Sequence, residues 1–115
     1  MSIIPKSEIR EVTGITPEQK QRIYDFLQGG IYCWCKNRSD EWFAVRDLLG
    51  GENFDWNGTP LQVLFEKHKS KGKSDDAAIS DAAKDAGWIL KKVLEDDKRN
   101  FETKDDFARS YRWIK

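Results

Sequence analysis

The segment TPEQKQRIYDFLQGGIYCWCKN, residues 16–37, decides how the rest of this chain of 115 residues is interpreted. Thr16 is a favourable N-cap, and Pro17 suits the first helical position because its missing amide hydrogen has no intrahelical partner there. Small or apolar residues then follow the i, i+3, i+4, i+7 spacing of an amphipathic helix: Ile23, Phe26, Leu27, Gly30, Ile31, Trp34 and Cys35. The segment is therefore predicted to be one helix that continues through both glycines.

Both cysteines of the chain, Cys33 and Cys35, lie in this segment. Two positions apart on a helix, they point about 160° away from each other and cannot share a metal ion or a disulfide. On a strand they would share a face. A closed zinc site needs four ligands, and the one histidine, His68, is distant in the sequence. We expect structural thiols, no metal site and no cofactor.

Composition and charge limit the class of protein. Twenty Lys and Arg balance twenty Asp and Glu, so the net charge predicts neither a polyanionic partner nor a membrane surface. The opening MSIIPKSEIR has no apolar run long enough for a signal peptide or a membrane span. The length suits one domain, with residues 1–15 as an N-terminal extension and residues 16–115 as the globular part. A cytoplasmic protein that binds no membrane is expected.

The stretch SDEWFAVRDLL, residues 39–49, allows two interpretations. In the first, Ser39 caps a helix that holds Trp42, Val45, Leu48 and Leu49. In the second, Glu41–Phe43 forms a short strand that leads into a briefer helix.

Thr59 and Pro60 are expected to start a further helix as its N-cap and first residue. The inner side of this helix carries four residues: Leu61, Leu64, Phe65 and His68. The histidine is interpreted as packed or surface-exposed rather than as a ligand or base. The lysine-rich stretch KHKSKGKSDD, residues 67–76, is expected to be a loop, with a phosphate-contacting strip of lysines as the alternative.

Ser74 is expected to cap the last long helix, which keeps a helical period through Ile79, Ala82, Ala83, Ala86, Leu90, Val93 and Leu94. Gly87 is a weak point, and a break into two helices is expected there. After it, residues 100–104 and 108–114 alternate in the manner of strands around a polar pair, which predicts a terminal β-hairpin.

The order of helix, turn, helix and hairpin over residues 59–115, ending in SYRWI, resembles winged helix-turn-helix domains. The predicted fold class is accordingly α+β: a mostly helical single domain with a C-terminal β-hairpin, winged-helix-like. The resemblance implies that residues 87–94 form a recognition helix in the major groove of duplex DNA. It also implies that residues 104–109 form a wing that contacts phosphates.

Helical geometry identifies the surface that this function would use. If Leu90, Val93 and Leu94 face the core, one outward face carries Lys84, Trp88, Lys91, Lys92 and Glu95. We therefore expect DNA contacts from six residues: Lys84, Trp88, Lys91, Lys92, Lys104 and Arg109. From Thr59 onward, however, 13 Lys and Arg meet 11 Asp and Glu. Such dilution favours the alternative, a protein interaction module of similar fold that binds a protein partner or forms a homodimer.

The chain shows no phosphate-binding glycine loop, nucleophile elbow or histidine pair. Glu102 and Lys104, with Asp85 upstream, resemble the acid plus Glu-x-Lys arrangement of metal-dependent nucleases. The same two residues equally suit an exposed strand face. A non-enzymatic function without catalytic or metal-binding residues is expected.

Overall fold

The computed structural model describes residues 10–49, 57–104 and 109–114. The elements in these ranges are α1 (Pro17–Asn37), α2 (Val45–Leu48), α3 (Gln62–Lys69), α4 (Asp75–Asp96), β1 (Asn100–Lys104) and β2 (Ser110–Ile114). The prediction of a mostly helical α+β domain with a C-terminal hairpin is confirmed. In the described ranges, no helix is both long and apolar enough to cross a membrane.

The first helix forms as the sequence predicts. Thr16 Oγ1 accepts a hydrogen bond from the Gln19 amide at 3.1 Å, and Gln19 Oε1 accepts one from the Thr16 amide at 2.9 Å. This reciprocal pair satisfies two amides at the start of α1. A Cβ on Gly30 would lie 3.4 Å from the Leu48 Cβ, at van der Waals distance, so α2 packs directly beside α1 at this residue. The buried residues of α1 are Ile23, Leu27, Ile31 and Cys35.

After a turn that follows α1, Phe43 forms a single bridge to the hairpin and a short helix follows, so the second interpretation is confirmed for the brief helix, but no strand spans Glu41–Phe43. The amides of Phe43 and Tyr111 each donate to the other's carbonyl at 2.8 Å, so Phe43 lies alongside β2. The Asp47 carboxylate accepts a hydrogen bond from the Ala44 amide at 2.8 Å, and α2 starts there. The longer helix is wrong because pairing with the hairpin holds Phe43 extended.

The third helix begins two residues later than predicted. Thr59 Oγ1 accepts from the Leu61 amide at 3.2 Å, and the Thr59 carbonyl accepts from the Gln62 amide at 3.1 Å. These bonds close a turn ahead of the helix instead of capping it. Of the predicted inner side, Leu61, Leu64 and His68 are buried and Phe65 is partly buried.

The loop prediction for residues 67–76 is wrong at both ends. Residues 67–69 complete α3 and residues 75–76 start α4, so only residues 70–74 connect the two helices. Gly72 has a φ of 83°, a left-handed conformation that glycine adopts without strain. Ser74 Oγ accepts from the Ala77 amide at 3.2 Å and caps α4, as predicted.

The last helix is continuous, so the predicted break at Gly87 is wrong. A glycine inside a helix costs about 1 kcal/mol relative to alanine. Burying one Leu, Ile or Val side chain contributes about 1.5–3 kcal/mol, and several follow Gly87, while the buried residues before it are alanines. The buried apolar residues of α4 are Ala78, Ala82, Ala86, Ile89, Leu90, Val93 and Leu94. Ile79 and Ala83, predicted in this stripe, are exposed.

The two strands pair antiparallel, as predicted, with Phe101 opposite Trp113 and Thr103 opposite Tyr111 on one face. The Phe43 ring lies 6.1 Å from the Phe101 ring and 6.0 Å from the Tyr111 ring between centroids. These rings belong to the same core cluster as the buried residues of α1 and α4, which holds the hairpin beside α4. The residues between the strands, 105–108, lie outside the described ranges.

The N-terminal segment contributes to the core. Val12 is buried, and Ile15 packs against the same cluster. Residues 10–15 of the predicted extension therefore lie against the globular part, and residues 1–9 lie outside the described ranges.

Candidate nucleic-acid interface

Four of the six residues predicted to contact DNA line one groove between α4 and the hairpin, which we name the α4–hairpin groove. Its volume is about 530 Å³, within the usual range for ligand sites of about 300–1,000 Å³. The described lining residues are Val45, Ser80, Ala83, Lys84, Gly87, Trp88, Leu90, Lys91, Arg109 and Tyr111.

The helix supplies most of one wall because of its spacing. Lys84, Trp88 and Lys91 are four and three residues apart and therefore share a side of α4. Gly87 lies between them, and a Cβ built there would meet no other atom within 4 Å. The missing side chain leaves the groove deep at this point. Tyr111, from β2, lines the groove on the other side.

The groove collects positive charge. Lys84 and Arg109 are exposed, and the ion pair of Lys84 with Asp81, on the preceding turn, is long at 3.9 Å. The Lys91 Nζ lies 5.4 Å from the centre of the Trp88 ring, a cation–π distance. No carboxylate occurs among the described lining residues. The arrangement suits a ligand that carries negative charge on an apolar or aromatic body.

The prediction that Lys91 turns outward is wrong, because this residue is only 4% exposed. Val45 of α2 and Tyr111 of β2 line the groove with it, so neighbouring elements surround α4 at this residue. Long lysine side chains commonly bury their alkyl part in this way. Its charge belongs to the groove interior rather than to an open helix face.

Lys92 and Lys104, also predicted to contact DNA, lie elsewhere. Successive helical residues are about 100° apart, so Lys92 is turned away from Lys91. It pairs with Asp96 at 3.2 Å. At the end of β1, the Lys104 Nζ lies 4.5 Å from the centre of the Trp42 ring. The single basic face predicted from the sequence is thus divided by the tertiary structure. Most of the predicted wing, residues 105–108, lies outside the described ranges.

A second groove separates α1 from α4, and we name it the α1–α4 groove. Its volume is about 870 Å³. Its charged lining residues have mixed signs: Arg10, Glu11, Lys20, Lys92, Glu95 and Asp96. The Tyr24 hydroxyl donates to Asp96 at 2.9 Å, and burial, followed by this bond, raises the pKa of Tyr24 to about 12. Lys20 pairs with Glu11 and lowers the pKa of that carboxyl. This groove suits a partner with both charges better than a phosphate.

Sequence reasoning missed a charged cluster between α3 and α4. Asp85 Oδ2 lies 2.8 Å from both Lys67 Nζ and His68 Nε2, and the latter two side chains are each 9% exposed. One turn earlier, Lys73 pairs with Asp81, and the hydrogen bond between them lowers the pKa of Asp81. The available signal was the i, i+4 spacing of the two aspartates, which places both on one side of α4.

This cluster also answers two of the alternatives raised by the sequence. The proposed phosphate-contacting strip is wrong for Lys67 and Lys73, whose ammonium groups pair with carboxylates of α4. The nuclease-like carboxylates are separately engaged, since Asp85 binds the α3 side chains and Glu102 pairs with Arg112. Within the described ranges, no three His, Cys, Asp or Glu side chains are grouped as a metal site requires.

The two cysteines lie in different environments, as the helical interpretation predicts. Cys33 is exposed and Cys35 is buried, and neither forms a disulfide. Burial raises the pKa of the Cys35 thiol. The inner thiol therefore packs as a small apolar group.

Comparison of the chain with protein-family models, curated proteins and solved structures finds no match. The function is therefore inferred from the shape and charge of the two grooves.

Proposed function

We propose that this protein is a non-enzymatic, cytoplasmic DNA-binding module of the winged-helix type that contacts DNA through the α4–hairpin groove. The observation that carries the proposal is the meeting of Lys84, Lys91 and Arg109 beside Trp88. The described lining residues of this groove include no Asp or Glu.

Charge distribution supports this groove over the other sides of α4. The chain is neutral overall, so attraction to DNA must come from a local concentration of cations. Toward α3, Lys67 is paired with Asp85, and toward α1, Lys92 is paired with Asp96. These neighbouring carboxylates reduce the positive potential that attracts phosphates on those two sides of α4.

The winged-helix resemblance leads to the same surface. It assigns residues 87–94 to the major groove and residues 104–109 to the phosphate backbone. Trp88 and Lys91 lie on the first of these segments and Arg109 ends the second, and all three line the α4–hairpin groove. Helix and hairpin thus present contacts to one ligand from two directions.

The test is a fluorescence anisotropy titration of a labelled duplex at several salt concentrations. Each phosphate contact contributes about −0.9 to the slope of log affinity against log salt. We expect a Lys84→Ala, Arg109→Ala variant to bind more weakly and to show a slope about 1.8 shallower. The matched control, Lys36→Ala with Lys71→Ala, removes the same charge at exposed positions outside the groove and should bind as the wild type does.

Equal losses from both pairs of substitutions, or no binding of duplex even at low salt, would contradict the proposal. The second candidate is then a protein interaction module, favoured by the mixed charges of the α1–α4 groove. Tyr24 and Trp88 in that groove are of the residue types enriched at protein interfaces. Sedimentation equilibrium would then separate a homodimer, whose mass rises with concentration, from a module that needs another protein.

A further inference from the structure

The floor of the α4–hairpin groove has a property that contacts with a duplex backbone do not require. It is concave and largely apolar, formed by Val45, Ala83, Gly87, Leu90 and Tyr111. Phosphate contacts need only protruding cations and amides, because the phosphate oxygens lie on the outside of the duplex. The apolar floor therefore points to a second part of the ligand, one that is itself flat or apolar.

Gly87 gives this floor its depth. The space where its Cβ would lie contains no other atom within 4 Å. A glycine at such a position allows a ligand to approach the backbone closely. Glycine is less favourable than alanine inside a helix by about 1 kcal/mol. A Cβ at Gly87 would not meet the apolar core, so core packing does not explain why glycine is present here.

The wall and rim of the groove differ chemically from its floor. Trp88 forms an aromatic wall, with the Arg10 guanidinium carbon 5.3 Å and the Lys91 Nζ 5.4 Å from the ring centre. Lys84 and Arg109 are exposed and supply positive charge at the rim. A positive rim beside aromatic and apolar surface is the combination by which proteins bind unpaired nucleotides.

We propose that the α4–hairpin groove binds one unpaired nucleotide of single-stranded DNA. The base lies on the floor at Gly87 beside Trp88, and the phosphate lies at Lys84 and Arg109. This inference rests on the proposed function, because it uses the same cations. It goes further in predicting a preference for single strands, since a base in a duplex must first be unpaired and unstacked to enter.

The decisive measurement compares three fluorescent probes on the wild-type protein. The first is an oligothymidylate of about 12 nucleotides, a length within the site sizes of single-strand binding folds. The second is an abasic strand of the same length, which keeps every phosphate, and the third is a duplex of the same length. We expect the oligothymidylate to bind about tenfold more tightly than the abasic strand, as expected for one stacked base. It should also bind more tightly than the duplex.

A substitution then locates the base. Gly87→Phe places a ring in the open space of the floor, and it should abolish the preference for thymidylate over the abasic strand. The control is Gly29→Phe, at another helical glycine whose Cβ would also meet no atom within 4 Å but which lies outside this groove. It should keep the tenfold preference. Circular dichroism checks that both variants fold, and the wild-type comparison remains decisive if either does not.

The outcomes separate this inference from the proposed function. Equal affinity for oligothymidylate and abasic strand, or tighter binding of the duplex, would overturn the nucleotide site while leaving duplex binding through the groove cations intact. A full tenfold preference in a folded Gly87→Phe variant would also overturn it. Absence of binding to all three probes would overturn both.

Discussion

The two sides of α4 use charge in opposite ways. On the side that packs against α3, the charges are paired: Asp85 binds Lys67 and His68. On the hairpin side, Lys84 and Arg109 share a groove whose described lining has no carboxylate. Both sides belong to one helix of mixed composition, so the difference comes from the neighbours that the fold brings to each side. The ion pairs on the first side join α3 to α4, whereas the second side brings cations from two elements to one groove.

The largest effect on the free energy of unfolding should come from removing the carboxylate that joins α4 to α3. Asp85→Ala leaves the Lys67 and His68 side chains, each 9% exposed, without their carboxylate. Removing one partner of a buried ion pair is strongly destabilising, and we expect a loss of about 3 kcal/mol in the free energy of unfolding. Urea denaturation followed by tryptophan fluorescence measures it.

The control for this prediction lies on the hairpin side. Lys84→Ala removes an exposed side chain and should change the free energy of unfolding by less than about 0.5 kcal/mol. Similar losses in the two variants would show that the two sides of α4 do not differ in the way that the structure indicates.

A smaller effect on the free energy of unfolding is expected on the side of α4 that faces α1. Tyr24→Phe removes the hydrogen bond to Asp96 and should cost about 1 kcal/mol at neutral pH. The pKa of Tyr24 is raised to about 12, above its ordinary value of 10, so its contribution is complete below pH 10. It is lost as the pH rises toward 12. Denaturation of both proteins at several pH values measures the difference between them.

That difference should shrink between pH 10 and pH 12, the range set by the ordinary and raised pKa values of Tyr24. A difference that stays constant across this range would show that Asp96 does not act on the tyrosine as the structure indicates.

The smallest effect concerns the groove floor itself. Gly87→Ala should stabilise the protein by about 0.5–1 kcal/mol, because alanine is favoured in a helix and its Cβ enters open space. Gly30→Ala should give a smaller gain, because its Cβ would lie 3.4 Å from the Leu48 Cβ. Thermal unfolding of both variants checks this order. Destabilisation by Gly87→Ala would mean that α4 is not continuous at this residue.

Local signals predicted much of the candidate site. Lys84, Trp88 and Lys91 meet in one groove because their spacing alone places them on one side of a helix. The same argument turned Lys91 outward, although it is buried, and put Lys92 on the same face, although Lys92 pairs with Asp96 beside α1. The part of α4 that does not face the core is wider than the surface that the neighbouring elements leave accessible to a ligand. The His68 and Asp85 pair was missed because its residues belong to different helices.

The sequence by itself determined the elements whose stabilising contacts are local. The cap at Thr16, the cap at Ser74 and the strand alternation of the hairpin all act within a few residues. Only the tertiary structure decided that Phe43 is extended against β2 and that α4 continues through Gly87. In both cases, burial against distant segments outweighs local propensity, since one buried large side chain contributes more than a helix-breaking residue costs.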